Sequence, residues 1–183
     1  MREVSRARST KHTGARRNKS LQAPFGKEQI HSKPLNPHYV GGFIDGEGSF
    51  CMSIGKHKTL KRGLEVRPEF TIELRADDQE ILERICITIG CGRIYYQTYP
   101  KYGWYPHAKY KITNSKDLRE HLFPFLEKYP LQAKKSEVYK LFKEIVMMVY
   151  RKEHLTDKGF NKIVRLRKKM RVLGKKARSH ENR

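Results

Sequence analysis

Two carboxylates, Asp45 and Glu47, stand in the stretch YVGGFIDGEGSF (39–50), on a backbone that carries Gly41, Gly42, Gly46 and Gly48 within eight positions. Asn36 is suited to cap a helix and Pro37 to open it, so a short helix is predicted from there to about Gly46. In that helix Gly42 and Gly46 share one side, a turn beyond His38. Glycine inside a helix costs roughly 0.5 to 1 kcal/mol against alanine, and close approach of a second copy of the helix is the compensating gain. Glu47 then falls at the carbonyl end, where the helix dipole disfavours an anion unless a cation joins it. A divalent cation resolves the conflict, since Mg²⁺ takes one or two carboxylates together with waters and phosphate oxygens. A solvated glutamate near a helix end is the plain alternative.

The elements that must hold these acids follow from periodicity. SFCMSI (49–54) alternates, with Phe50, Met52 and Ile54 on one side and Ser49, Cys51 and Ser53 on the other. LEVRPEFTIELR (64–75) does the same: Val66, Phe70, Ile72 and Leu74 face one way, while Arg67, Glu69, Thr71, Glu73 and Arg75 face the other. Both are predicted strands with one buried and one wet face. The loop between them, GKHKTLKRG (55–63), carries Lys56, Lys58, Lys61 and Arg62. ADDQEILERICITIG (76–90) has Ile81, Leu82, Ile85 and Ile89 at helical spacing and stops at Gly90. Strands follow at about 92–98, with Arg93, Tyr95 and Gln97 on one face, and at about 107–113, with Lys109, Lys111 and Thr113. SKDLREHLFPFLEKY (115–129) reads as a helix interrupted by Pro124. The next segment, to Tyr150, shows an apolar stripe of Leu131, Val138, Leu141, Phe142, Ile145 and Val149, and a basic helix closes the pattern. The wet face would display Arg67, Thr71, Arg75, Arg93, Tyr95, Gln97, Lys109 and Lys111, a ribbon suited to groove or backbone contact. Glu69 and Glu73 on the same face point to mixed rather than purely electrostatic chemistry.

Charge selects the partner class. The chain of 183 residues has 40 Lys+Arg against 19 Asp+Glu, a net +21, which favours a polyanion and above all nucleic acid. Nine basic and two acidic side chains lie in residues 1–33, thirteen and three in 151–183, so the ends supply most of the field. Residues 1–33 read as a disordered basic arm, 34–174 as one domain and 175–183 as a basic tail. The arm also has the composition of a mitochondrial transit peptide, and the compartment stays open between an organelle, mitochondrion or chloroplast, and a bacterial cytoplasm. The longest apolar run, Ile145 to Tyr150, falls far short of a bilayer span, so no membrane role is expected. Cys51, Cys86 and Cys91 form no CxxC pair and have no histidine at zinc-finger spacing, which points to ordinary thiols in a reduced interior.

VGGFIDGEG (40–48) resembles the nine-residue signature of the LAGLIDADG homing endonucleases. The similarity extends through the element order, through YPLQAKKSEVYKLFKEIV (129–146) and through KEHLTDKGFNKIVRLRKKM (152–170). It implies an α+β fold of order α-β-β-α-β-β-α with a four-stranded antiparallel saddle sheet. It further implies that Glu47 binds a catalytic Mg²⁺, that Asp45 caps or ties the helices, and that Lys134 or Lys135 contributes to the site. Where family members often carry a glutamine near the end of the second strand, this chain has Leu74. A single motif, with no internal repeat, implies a homodimer paired through Gly42, Asp45 and Gly46 over a pseudo-palindromic duplex. Ser49, Ser53, Lys56, Lys58, Lys61, Arg62, Arg67, Thr71, Arg75, Arg93, Tyr95, Gln97, Lys109 and Lys111 are then candidate DNA contacts. The competing expectation is a LAGLIDADG-derived binder of structured or ribosomal RNA, such as an intron maturase, for which the basic ends alone would suffice.

Overall fold

Asn36 caps the first helix, α1 (Pro37–Glu47): its side-chain oxygen accepts the His38 amide at 2.9 Å, and Pro37 occupies the first turn. These observations come from a computed structural model of the chain, which describes residues 33–99 and 103–178. The arm expected over residues 1–33 therefore lies, but for Lys33, outside the described residues. Strand β1 (Ser49–Lys56) follows α1 directly and turns into β2 (Leu64–Arg75). A short 3-10 turn, Ala76–Asp78, leads into α2 (Gln79–Ile89), which ends on Gly90 at φ 85°. Only glycine takes that left-handed conformation at little cost, so the helix stops there. Strands β3 (Arg93–Tyr99) and β4 (Trp104–Ile112) complete one antiparallel sheet of order β1-β2-β4-β3.

The register fixes which side chains share a face. Ser49 pairs with Thr71, Thr71 with Lys111, and Lys111 with Arg93, so these four form one row across the sheet. Glu73, Lys109 and Tyr95 form the next row, and Arg75, His107 and Gln97 the one beyond. The opposite face packs Phe50, Met52, Val66, Phe70, Ile72, Ala108, Tyr110 and Ile112 into the core. Strand β4 starts three residues earlier than the period predicts, and β1 runs two residues further. Thr71 departs from the alternation pattern. It lies on the wet face but is only 5% exposed, because Ser49 and Lys111 flank it from both neighbouring strands.

Helices cover the apolar face. The segment predicted as one interrupted helix is a short α3 (Ser115–Asp117), a π turn at Leu118–Leu122, and α4 (Phe123–Lys128). Pro124 sits in the first turn of α4, where it forfeits no helical hydrogen bond, and the wider π turn absorbs the break ahead of it. Helix α5 (Lys135–Tyr150) buries Phe142, Ile145, Val146 and Met148. Leu131 is buried as predicted from the stripe but precedes the helix. Phe142 meets Phe50 with ring centroids 5.3 Å apart, which locks α5 to β1. The last helix, α6 (Asp157–Arg178), extends the expected basic helix and takes in residues 175–178, which the sequence reading gave to a tail. Among the described residues no helix is long and apolar enough to cross a membrane.

Candidate active site and nucleic-acid face

The four glycines of the opening stretch divide into two pairs. A Cβ at Gly41 would stand 3.3 Å from the Tyr129 carbonyl oxygen, and one at Gly48 would stand 2.6 Å from the Ile44 carbonyl oxygen. Those two serve close packing inside the chain. Around Gly42 and Gly46 a Cβ would meet nothing within 4 Å. Val40, Gly41 and Ile44 are buried against the core, while Tyr39, Gly42, Gly46 and Glu47 are exposed. The glycine side of α1 is therefore bare among the described residues, which is the geometry that a second helix requires.

The carbonyl end of α1 is clamped from one turn. Asp45 Oδ2 accepts the backbone amides of Gln132 at 2.6 Å and Ala133 at 3.2 Å. The Lys135 ammonium donates to the carbonyl oxygens of Ile44 at 3.1 Å and Gly46 at 2.8 Å. The ammonium satisfies the Gly46 carbonyl, gives the Ile44 carbonyl a second donor beside the Gly48 amide at 2.9 Å, and complements the dipole. Burial depresses the pKa of Lys135, and the charges of Asp45 and Glu47 pull it back up. Lys134, at the cap position of α5, is exposed and its side chain makes no hydrogen bond or ion pair among the described residues. The structure thus brings Lys135, not Lys134, to α1. Asp45 Oδ2 ties α1 to its own chain's turn, while Oδ1 is buried with no hydrogen-bond partner among the described residues.

Glu47 borders an open groove of about 830 Å³, together with Tyr39, Phe43, Leu74, Ile81 and the acids Asp77, Asp78 and Glu80. Leu74 stands there in place of the polar side chain that the resemblance suggests. Among the described residues no group of three His, Cys, Asp or Glu side chains could enclose a metal ion. One exposed carboxylate at a carbonyl helix end fits a hard cation that takes its remaining oxygens from water, phosphate and a second copy. It does not fit a closed site within one chain.

On the sheet's wet face every cation of β2 and β4 that the sequence singles out meets a carboxylate. Lys109 lies 2.9 Å from Glu73, Lys111 2.9 Å from Glu69, Arg67 2.6 Å from Glu65 and Arg75 2.6 Å from Asp77. The Tyr99 hydroxyl donates its one proton to Glu73 at 2.7 Å and lies 2.8 Å from the Gln97 side-chain oxygen, and His107 Nδ1 lies 3.2 Å from Glu73. Burial pushes Glu73 up, but Lys109, Tyr99 and His107 outweigh it and hold the carboxyl below its ordinary value. The face thus offers donors and acceptors in fixed positions, which suits reading base edges. Ser49, Ser53, Arg93 and Tyr95 are exposed on it, as are Lys56, Lys58 and Lys61 at the hairpin's far end. Two expected contacts change role. Thr71 is covered, and Arg62 turns away to α6, reaching Asp157 at 2.7 Å and the Phe160 ring at 4.7 Å from its centroid. His107 was missed from the sequence, although its two-residue spacing from Lys109 and Lys111 places it on the same face.

The fold is shared with known proteins. The model of the LAGLIDADG endonuclease family matches residues 40–146. The chain belongs to that family. It is 32% identical over 139 residues to the probable intron-encoded endonuclease 3 of Neurospora crassa, covering 75% of this chain and 25% of that protein. Among solved structures it matches the I-LtrWI LAGLIDADG homing endonuclease bound to target DNA, with TM-score 0.67 and 30% identity over 81% of this chain and 46% of the other. It also matches the homing endonuclease I-TnaI, with TM-score 0.66 and 29% identity over 78% of this chain and 98% of the other. The chain spans about a quarter of the length of the first curated relatives it matches.

Proposed function

We propose that the chain is a site-specific double-strand DNA endonuclease of the homing type, hydrolysing phosphodiesters as a homodimer with Mg²⁺. The observation that carries this reading is Glu47, an exposed carboxylate at the end of a helix whose outer glycines no described residue covers. A core built only for electrostatic binding has no use for a bare glycine pair beside a lone acid, since phosphate neutralisation needs neither. The DNA-bound state of I-LtrWI supports the choice of duplex.

Pairing of α1 with a second copy brings two Glu47 carboxylates together near the two-fold axis. Like charges there repel each other, so cation binding and assembly are linked. Glu47 of each protomer would hold the cation, which when bound supplies Lewis-acid polarisation of the scissile phosphate and a water acidic enough to attack at neutral pH. The chain's own residues do the rest. Lys135 and Asp45 fix the end of α1 and so the position of Glu47. The polar rows of the sheet set the register of the duplex against it.

The test is a duplex spanning the uninterrupted form of the host gene's insertion site, incubated with Mg²⁺ or EDTA, with Glu47→Gln alongside. Cleavage of both strands that needs Mg²⁺ and vanishes in Glu47→Gln, while that variant still binds, is expected. No cleavage of any such duplex, with tight binding to structured RNA, would overturn the reading.

A further inference from the structure

Helix α6 begins after the family match ends at residue 146 and carries no acid between Asp157 and Arg178. Its inner stripe of Ile163, Leu166 and Met170 is buried. Two contacts set its course along the sheet. Near its start, Arg62 of the β1–β2 loop reaches Asp157 and stacks on Phe160. Two turns later Arg167 donates to the Met52 carbonyl at 2.9 Å, in the middle of β1. Arg62 and Arg167 thus link α6 to the hairpin tip and to the middle of β1, the sheet's outer strand.

Its outward side carries Lys158, Arg165, Lys168, Lys169 and Arg171, all exposed. No carboxylate pairs with any of these five among the described residues. Lys162 is different, lying 2.7 Å from Glu144. On the neighbouring sheet face, Arg67, Arg75, Lys109 and Lys111 each have an acid partner. Helix α6 thus presents five exposed cations without an acid partner among the described residues, while on the sheet Arg93 and, at the hairpin end, Lys56, Lys58 and Lys61 also have none.

Resting on the endonuclease reading, we infer that the outer side of α6 is a ledge for the DNA phosphate backbone, holding the duplex alongside β1 without reading its sequence. The ledge supplies affinity, and the sheet, whose β2 and β4 cations are held by acids, is left to discriminate bases. An unpaired Lys or Arg releases a condensed counterion when it meets a phosphate, whereas an ion-paired one must first lose its partner.

The test measures binding of the full chain to a random-sequence duplex across a salt series in EDTA, so that neither target nor cleavage is needed. Arg165, Lys168, Lys169 and Arg171 are changed together to Gln, with Lys162→Gln as the paired control. The slope of log affinity against log salt should become shallower by about 0.9 for each phosphate contact removed, up to about 3.6 for four. The fold-loss should be the same on unrelated duplexes, and Lys162→Gln should keep the wild-type slope. If the quadruple change impairs folding, Lys168→Gln and Lys169→Gln are measured singly, each with an expected change of about 0.9. An unchanged slope in a folded variant overturns the ledge, as does a loss confined to structured RNA or to one DNA sequence. Target cleavage by the wild type alongside an unchanged slope would leave the endonuclease standing. A shallower slope in a protein that never cleaves would leave only the ledge.

Discussion

The Lys135 ammonium lies 2.8 Å from the carbonyl oxygen of Gly46, so the first residue of α5 closes the last turn of α1. Three residues of one turn, Gln132, Ala133 and Lys135, thereby hold the segment that presents Glu47. A lysine beside a signature acid invites a role in proton transfer, but two of its three N–H donors are committed to carbonyl oxygens. On the proposed function Lys135 would be a positioning residue.

Lys135→Met keeps the stem and removes the cation. It should cost about 1 to 2 kcal/mol of stability, the scale of hydrogen bonds lost from half-buried partners. Cleavage of bound duplex should fall by a larger factor than binding, because Glu47 loses its fixed backbone. Lys134→Met should leave thermal melting within about 0.5 kcal/mol of wild type. Thermal melts and single-turnover cleavage measure both, and the reverse ranking of the two lysines would remove Lys135 from the site.

The glycines predict opposite signs for equal chemistry. Gly46→Ala adds a methyl group into open space, so the single chain should gain roughly 0.5 to 1 kcal/mol of helix stability. On the proposed homodimer the same methyl group would stand where a second helix packs, and Gly46→Leu would do so more fully, so dimers seen by sedimentation should weaken and cleavage with them. Gly48→Ala places a methyl group 2.6 Å from the Ile44 carbonyl and should destabilise the chain by about 1 to 3 kcal/mol whatever its oligomeric state. A fully dimeric, active Gly46→Leu protein would exclude pairing through this side of α1.

How much of this could be read in the sequence depends on distance along the chain. Helix α1 was legible because Asn36, Pro37 and the apolar spacing are all local to it. The two sheet faces were legible because alternation is local to each strand, and the register confirms Phe50, Phe70 and Ile72 inward with Arg67 and Lys109 outward. Thr71 was not, because its burial comes from Ser49 and Lys111 on two other strands. The choice between Lys134 and Lys135 turns on the backbone of residues 129–134, where a rotation by one residue exchanges them. Arg62 looked like one more cation in a basic loop, since its partners Asp157 and Phe160 belong to an element far along the chain.

Acid should weaken the sheet's polar rows in a particular order. Glu73 is held below its ordinary value of 4.5 because the bonds from Lys109, Tyr99 and His107 outweigh burial. A depressed folded-state pKa means that the unfolded chain binds the proton first. The stabilisation is therefore complete above the unfolded value and is lost as pH falls through the folded one. The wild type should lose stability on acidification below about pH 5 more steeply than Glu73→Gln, with the two curves converging at lower pH. Denaturant midpoints across an acid series measure this, and parallel curves would show that Glu73 is not coupled to its neighbours.

Arg62 tests whether the hairpin tip is anchored or free. Its ion-pair partner Asp157 is 87% exposed, so the bridge alone contributes about 0.2 to 1 kcal/mol. Stacking on Phe160 adds about 0.5 to 1 kcal/mol. Asp157→Asn should therefore be nearly silent, while Arg62→Ala loses both contacts and should lower stability by about 1 to 2 kcal/mol. Because the anchor joins the β1–β2 loop to the start of α6, its loss should speed proteolytic nicking and amide exchange in residues 57–63 more than in the sheet. Exchange rates that rise equally across β1, β2 and the loop would mean that Arg62 acts on global stability and not on the tip.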